Sequence, residues 1–378
     1  MPTKRQLIGG LRSGKLRNVP AFTAVAAAAI AAAACATSSA ATRTAQARIG
    51  SAAAAAWQPN SSQVDKSYNG VDKRYMTKPL PAPKLKHGVK FKVGFLQING
   101  TVKALAAQEQ AAAAEVKALG GSLVELDAID NPQQQVNQMK EMLDEGVTAL
   151  IADPLVPQAL SADFKQAQSK GIPVITVLAD PQSSPTLTPG VTTDIDNASD
   201  YSVYVTMKQL AASLPKGASF GIVGFAAPVP SLIYAAQRQE YWGKHFGMKF
   251  VGQVNATVAT GQAEATAATT FFTQHPSVRA LITFNDATAQ AAVTSAKVAH
   301  VKNVAIVTPN GGEPESVPLL KNGSEKMVYR APWEQEGAQA VIAAYDAQTK
   351  QHLPLPKILQ LPGVVATKSN LSSIPFVS

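Results

Sequence analysis

The sequence predicts an α/β protein built from two similar lobes, each with its own parallel β-sheet flanked by helices. From Val89 onward, short apolar segments alternate with helical segments, and this alternation is typical of a parallel sheet covered on both faces. The alternation stops at a loop and then resumes, which indicates a second sheet. A chain of 378 residues with 46% hydrophobic residues is long and apolar enough for two compact cores.

The first half contains four predicted strands and three predicted helices. Glycine commonly follows the last turn of a helix, and Gly120, Gly146 and Gly171 stand where the three helical segments end. Asn131-Pro132 is a typical start for the second helix. The predicted strands are 91–96, 123–126, 147–152 and 172–178, and the predicted helices are 102–119, 133–145 and 158–169.

The second half repeats this build. Its predicted strands are 218–225, 248–254, 280–284 and 304–308, and its predicted helices are 231–246, 264–274 and 287–298. A last strand at 327–330 and a helix at 334–349 follow. We expect this final helix to return to the first half of the chain.

The N-terminus has the layout of an export signal. Five basic residues without an acidic residue precede an almost wholly apolar run, 21–34. That run is shorter than the roughly 20 residues that span a bilayer, and it suits the core of a secretory signal. Ala32-Ala33-Ala34-Cys35-Ala36 resembles a bacterial lipoprotein cleavage box, in which Cys35 would be lipidated. The alternative is ordinary signal cleavage near Ser38-Ser39-Ala40.

Composition divides the chain into a leader, a linker and a folded part. Residues 36–86 are rich in Ala, Ser, Thr, Gln, Asn and Pro, which predicts a flexible tether. The domains expected are 1–35 as export signal, 36–86 as tether, 87–193 with 332–360 as lobe one, and 194–331 with 361–378 as lobe two.

The net charge of +9 does not indicate nucleic-acid binding. Residues 1–64 hold seven Lys or Arg and no acidic residue, so the remainder carries 34 − 7 = 27 basic and 25 acidic residues. A nucleic-acid-binding protein carries its basic excess on the folded domain. The single cysteine also excludes an intramolecular disulfide.

Several segments together resemble the type I periplasmic solute-binding proteins, in the ribose- and galactose-binding branch. The segments that carry the resemblance are Leu126-Asp127 with Asn131-Pro132, Gly146 to Ile151 with Asp153-Pro154, Gly171 to Thr176, Phe271 to Pro276, and Phe284-Asn285-Asp286. The resemblance covers most of the chain, from Val89 to the C-terminus. The order and spacing of these segments together are more specific than any one segment.

This resemblance implies two Rossmann-like lobes that are joined by three hinge strands and close on a solute between them. The implied function is the exported substrate-binding protein of an ABC importer, which binds a sugar, polyol or derivative. Its partners would be that solute and an inner-membrane permease, with a membrane contact through lipidated Cys35. It would be a monomer in the periplasm or on the outer face of the cytoplasmic membrane. The alternatives are a sensor that reports to a chemoreceptor or kinase and a repressor-type regulator core.

Ligands of parallel sheets bind at the carboxyl ends of the strands, and this position selects the candidate site residues. Amide and carboxylate groups suit vicinal hydroxyls, and aromatic rings suit the C–H faces of a sugar. The candidates are Gln97, Asn99, Thr101, Asp153, Asp180, Asp194, Phe225, Tyr234, Asn285, Asp286, Asn310, Arg330 and Trp333. Structural alternatives are helix capping for Asp286, turn formation for the other aspartates and Asn310, core packing for Phe225 and Tyr234, and hinge packing for Trp333.

The sequence also departs from the ribose-type site that the resemblance implies. Asp180 lacks the arginine that would follow it in that branch, and a second sugar-binding arginine is replaced near Ala236, where Arg238 is the nearest basic residue. The hinge glutamine falls at about Ala331. Arg330 could replace the missing arginine charge, which would favour an anionic solute. The alternative is that Arg330 forms a salt bridge.

No catalytic motif or metal-ligand spacing is present in the sequence, and the five histidines are scattered. We therefore expect neither an enzyme nor a cofactor.

Overall fold

The fold consists of two six-stranded sheets, each flanked by helices. The computed structural model describes residues 57–377 apart from 62, 65, 72–76, 180–186, 198 and 227–228. The predicted export signal, Cys35 and Asp180 lie outside the described residues. Every helix in the described part of the chain is too short or too polar to span a bilayer.

The first sheet has the strand order β11-β5-β4-β3-β1-β2, and all its strands are parallel. Its strands are β1 (Lys92–Gln97), β2 (Ser122–Asp127), β3 (Ala149–Ala152), β4 (Val174–Val177), β5 (Thr193–Asp196) and β11 (Ile358–Gln360). Its helices are α1 (Lys103–Ala118), α2 (Pro132–Asp144), α3 (Pro157–Ser169) and α9 (Trp333–Thr349).

The second sheet has the order β12-β10-β9-β8-β6-β7, and only β12 is antiparallel to its neighbour. Its strands are β6 (Ser219–Phe225), β7 (Lys249–Ala256), β8 (Ala280–Thr283), β9 (Ala305–Gly311), β10 (Glu325–Arg330) and β12 (Val364–Ala366). Its helices are α4 (Ser199–Ala212), α5 (Pro230–His245), α6 (Gly261–Gln274), α7 (Asp286–Val298) and α8 (Ser316–Asn322).

The predicted two-sheet α/β class is confirmed, and the chain crosses between the lobes three times. The crossings follow β5, β10 and β11. The predicted boundary between 193 and 194 falls inside β5, which is a strand of the first sheet, so the first crossing comes after Asp196. As expected, α9 returns from the second sheet and packs on α1 and on the strands of the first.

Helix α9 approaches α1 closely at Gly337. A Cβ at this position would overlap the backbone carbonyl oxygen of Gln108 in α1. The backbones therefore meet without an intervening side chain, and Glu336, next to Gly337, is buried and accepts a hydrogen bond from Gln108 Nε2 at 3.0 Å. The return helix is held to lobe one at this contact.

Several described residues of the predicted tether pack on the folded body. Trp57 is 4% exposed and contacts Tyr241 edge to face, and the Tyr68 ring stacks on Trp242 of α5 at 5.6 Å. Further along, the Leu80 amide donates to Gln339 Oε1 of α9 at 2.6 Å. The prediction of a flexible tether is wrong for these residues, because isolated aromatic side chains in a polar stretch can bury much area.

We expect Gly337→Ala to lower the free energy of unfolding by about 1–3 kcal/mol, because the new methyl group forces α1 and α9 apart. Urea denaturation measures this change. The control is Gly261→Ala at the start of α6, where a Cβ would meet open space, and its stability should be unchanged or slightly raised. Equal midpoints for the two variants would contradict the role of the contact.

Candidate functional site

The carboxyl ends of both sheets face a cavity of about 140 Å³. Its walls include residues that follow β1, β2 and β5 in the first lobe and β6, β8 and β9 in the second. Strands of both lobes point their carboxyl ends at the cavity, so it lies where ligands of such sheets bind. The polar residues that line it are Asn99, Asp130, Asp196, Asn197, Ser199, Ser202, Ser231, Gln239, Thr283, Asn285, Asp286, Asn310 and Glu313.

Apolar side chains form most of the remaining wall. The rings of Phe225 and Phe284 lie 5.4 Å apart and tilted, and Trp333 lines the cavity at the start of α9. Trp333 also donates from Nε1 to the Gly311 carbonyl at 3.0 Å, so it joins the second crossing to β9. Trp333 thus packs beside a crossing and also lines the cavity.

Six of the thirteen candidates line the cavity. They are Asn99, Phe225, Asn285, Asp286, Asn310 and Trp333. All except Trp333, which is predicted near a hinge, are predicted from their position at the carboxyl end of a strand. The parallel arrangement of the strands brings these ends to one place.

Asn285 combines a position in the cavity wall with a structural role. It is the N-cap of α7, and its Oδ1 accepts hydrogen bonds from the amide of Thr288 at 2.7 Å and from its hydroxyl at 2.6 Å. This leaves the amide nitrogen, which donates to Glu264 at 3.5 Å. Helix capping, which the sequence suggested for Asp286, is thus performed by Asn285.

Asp286 is buried at the first position of α7. Its carboxylate accepts from the Gly312 amide at 3.1 Å. Burial raises the pKa of Asp286 to about 7, and its hydrogen bonds to Ser316 and to the Gly312 amide counteract that rise. The side chain therefore ties α7 to the end of β9 and carries a titrating carboxyl group at the cavity.

Asp130 reaches the cavity from a strained turn after β2. Ile129 and Asp130 have φ angles of 48° and 58°, a region that is unfavourable for a β-branched residue. The turn is held because Asp127 Oδ1 accepts from the Ile129 amide at 2.9 Å, and Asn99 Nδ2 donates to Asp130 at 2.7 Å. Burial raises the pKa of Asp130, although the Asn99 hydrogen bond lowers it.

The two lobes are joined across the cavity rim by an electrostatic contact. Glu313, after β9, accepts a hydrogen bond from the Ala104 amide at the N-terminus of α1 at 3.1 Å. Lys103 forms an ion pair with Glu315 beside it. A helix N-terminus favours a carboxylate, so this contact stabilises the association of the two lobes at the rim.

Six candidates do not line the cavity, and each is engaged elsewhere. Gln97 Nε2 donates to the carbonyl of Leu105 at 3.2 Å, and Thr101 is exposed and donates to Asn99 Oδ1 at 2.6 Å. Tyr234 is 1% exposed in the core of the second lobe, under the guanidinium of Arg238. These three side chains do not line the cavity, because side-chain direction cannot be read from a strand end.

Asp153 and Asp194 are also candidates that lie behind the cavity wall. Asp153 follows β3 and Asp194 lies within β5, and both are fully buried. Thr176 Oγ1 donates a hydrogen bond to Asp194 at 2.6 Å. Burial raises the pKa of Asp153 well above its usual value, and Asp194 raises it further. Neither Asp153 nor Asp194 lines the cavity.

Arg330 does not supply a charge to the cavity. Its guanidinium donates to both carboxylate oxygens of Glu334 at 2.7 Å and to the carbonyl of Pro375 at 3.0 Å. The salt-bridge interpretation describes its environment, and the anionic-solute interpretation loses its basis. Arg238 is likewise buried in an ion pair with Asp200, while Ala236 lines the cavity.

Several cavity residues were missed by sequence reasoning. Asp130 and Glu313 lie one turn beyond a predicted strand end, and Asp196 and Asn197 belong to a strand and crossing that were expected to be a loop. Gln239 lies on α5, and its position within a helix does not indicate that its side chain lines the cavity. Asp130 and Glu313 would be predicted if the candidate positions were extended further into the loop that follows each strand.

The chain belongs to the periplasmic binding protein domain family, whose family model matches residues 100–352, more than half of the chain. None of the curated proteins matches the sequence.

Solved structures with the same fold come from several bacteria. An ABC transporter solute-binding protein of Agrobacterium vitis with bound allitol is 16% identical with a TM-score of 0.67, and the match covers 75% of this chain and 97% of that one. One of Actinobacillus succinogenes with bound D-allose is 19% identical with a TM-score of 0.66, covering 75% and 100%. One of Mycobacterium smegmatis with bound glycerol is 19% identical with a TM-score of 0.66, covering 77% and 100%.

We expect Asn285→Ala to lower the free energy of unfolding by about 1 kcal/mol, because it removes the N-cap of α7. Asn285→Ser is the matched control, since a serine hydroxyl can also cap a helix, and it should retain most of the stability. Thermal unfolding of both variants measures the difference. Equal losses in the alanine and serine variants would show that the cap does not stabilise α7.

Proposed function

We propose that this protein is the exported solute-binding component of an ABC importer, with a sugar, polyol or derivative as its solute. The observation that carries the proposal is the cavity between the lobes, which is lined from both sheets and bordered by the crossings. A cavity with this position can open only if the lobes separate about the crossing segments. Hinge closure around a ligand is the motion that such an arrangement permits.

The contact at the rim gives closure an energetic basis. The bonds of Glu313 to the Ala104 amide and of Glu315 to Lys103 join residues of different lobes, so they break on opening. The Lys103 side chain is exposed, so solvent screens its attraction to Glu315. The rim therefore biases the closed form only weakly, and a bound solute can decide the equilibrium. A permease in the inner membrane would then bind the closed form.

The relatives of known structure support the solute class. The bound molecules in these related structures are allose, allitol and glycerol, and a related protein of Bacillus halodurans holds myo-inositol. All four are small and polyhydroxylated, and a cavity of about 140 Å³ suits a solute of this size. The family fold thus supports binding and release of a solute and not its chemical conversion.

A thermal-shift screen of the full chain against allose, allitol, glycerol, myo-inositol and other sugars tests this proposal. A solute at 100 times its dissociation constant adds about 2.7 kcal/mol of stability, which corresponds to a rise of roughly 5 °C in Tm. We expect at least one such solute to raise the Tm. Failure of every sugar, polyol and sugar derivative would contradict the proposed function.

Ala235→Phe provides a blocked variant for the same screen. Ala235 lines the cavity, so the phenyl ring should fill it and abolish the ligand-induced shift. The matched control is Ala114→Phe, at an exposed position of α1, which should retain the shift. A shift that survives Ala235→Phe would place the solute outside the cavity.

We further propose that Cys35 is lipidated and anchors the exported protein to the membrane. The support is the sequence alone: the basic leader, the apolar run 21–34 and the small residues around Cys35.

Cys35→Ala should move the protein from the membrane fraction to the soluble fraction of cells, because it removes the acceptor for the lipid. Fractionation followed by immunodetection measures this change. Unchanged membrane association of the alanine variant would contradict lipidation at this residue.

A further inference from the structure

Part of the predicted tether packs beside a crossing between the lobes. The residues concerned are 57–71 apart from 62 and 65, which we call the N-terminal segment. Gln63 of this segment is 2% exposed, and its Nε2 donates to Asp200 Oδ2 at 3.0 Å. Asp200 lies in the first turn of α4, which directly follows the first crossing. The N-terminal segment is therefore bound where the chain enters the second lobe.

Aromatic contacts also hold this segment on α4 and α5. The guanidinium carbon of Arg238, which pairs with Asp200, lies 5.4 Å from the centre of the Trp57 ring. The Tyr204 hydroxyl donates to the Tyr68 carbonyl at 3.0 Å, and the two rings meet edge to face. Buried aromatic rings and an arginine–aromatic contact favour the docked segment over a solvated one.

Gly70 brings the N-terminal segment into contact with two tyrosines of α4. It is buried with a φ of 99°, and a Cβ at this position would lie 2.8 Å from the rings of Tyr201 and Tyr204. The backbone at Gly70 thus lies against these rings without an intervening side chain. Only glycine combines this φ with so close an approach.

Tyr201 connects this contact to the other crossings. Its ring meets that of Tyr329 edge to face, with the ring centres 6.3 Å apart. Tyr329 lies at the end of β10, just before the second crossing, and its hydroxyl accepts a hydrogen bond from the Gly363 amide. Gly363 lies between β11 and β12, in the third crossing. One series of contacts therefore joins Gly70 to residues beside all three crossings.

The chain that follows the N-terminal segment is bound to the other lobe. The Leu80 amide donates to Gln339 Oε1 at 2.6 Å, and Gln339 Nε2 donates back to the Leu80 carbonyl at 3.3 Å. The Lys86 amide donates to the Tyr345 hydroxyl at 2.9 Å. Both partners belong to α9 of lobe one. The residues before β1 are therefore docked on both lobes while the lobes associate at the cavity rim.

We propose that the N-terminal segment is a conformational restraint on the hinge, and that its docking favours the closed form. Hinge motion changes the backbone at the crossings, and the contacts of Tyr201 and Tyr329 border them. Contacts that are made better in one arrangement shift the population toward it. The inference rests on the hinge motion of the proposed function and adds a device that regulates it. Because such coupling is reciprocal, solute binding also stabilises the docked segment.

The distance between two spin labels, one on each lobe, tests the inference on the full chain. Cys35 is the single cysteine, so Cys35→Ala removes the natural labelling site. The labels are attached through Gln110→Cys in α1 and Gln290→Cys in α7. Both positions are exposed, and both helices begin at the cavity in opposite lobes. Double electron–electron resonance then gives the populations of the short and long distances.

Gly70→Ala should raise the ratio of open to closed protein about twofold or more, because its methyl group displaces the segment from the tyrosines of α4. Gly88→Ala is the matched control. It also has a positive φ, of 76°, but a Cβ there would meet open space, so the distances should be unchanged. Gln63→Ala removes the donor to Asp200 without backbone strain and should shift the ratio in the same direction. If both Gly70→Ala and Gln63→Ala match the control, the inference is overturned.

The same labels separate this inference from the proposed function. Allose, allitol, glycerol and myo-inositol are added in turn to the labelled protein without further substitutions, and at least one should reduce the long distances. If a solute does so while Gly70→Ala and Gln63→Ala match the control, the function stands and the inference fails. If these variants open the protein but no sugar or polyol acts, the inference stands and the proposed solute class fails. If neither solutes nor variants change the distances, both fail.

Discussion

The packing of α9 on α1 is the contact on which the rest of the structure depends. The chain leaves the first lobe after Asp196, builds the second sheet and then returns, and Gly337 lets the returning helix meet the backbone of α1 at Gln108. The same helix α1 presents its N-terminus to Glu313 of the second lobe. The contact therefore completes lobe one and sets the position of the cavity rim.

Buried carboxyl groups without basic partners are a second constraint. Asp153 and Glu336 lie in the first lobe, and burial raises the pKa of each well above its usual value. Glu325 in the second lobe has its pKa raised to about 8 by burial. Each group is neutral in the folded protein at acidic pH, and its ionisation lowers the free energy of unfolding. Stability from these groups is thus present below about pH 4.5 and is lost as the pH rises through the folded pKa.

The sequence located much of the candidate site, and the reason is geometric. Asn99, Phe225 and Asn285 follow apolar strands, and parallel strands end at one edge, so position along the chain implies position in the cavity. Gln97 and Arg330 satisfy the same rule but turn to Leu105 and Glu334. Strand periodicity predicts where a strand ends, but it does not predict which partner a side chain contacts there.

The sequence by itself determined the alternation of strands and helices, the two-sheet class and the helix that returns to lobe one. These follow from local periodicity and from glycine at helix ends, which act within a few residues of each position. Only the tertiary structure decided that Trp57 and Tyr68 pack on the second lobe, that Arg330 and Arg238 are paired away from the cavity, and that Asp130 and Gln239 line it. Those outcomes depend on contacts between residues far apart in the chain, and local pattern carries no information about such contacts.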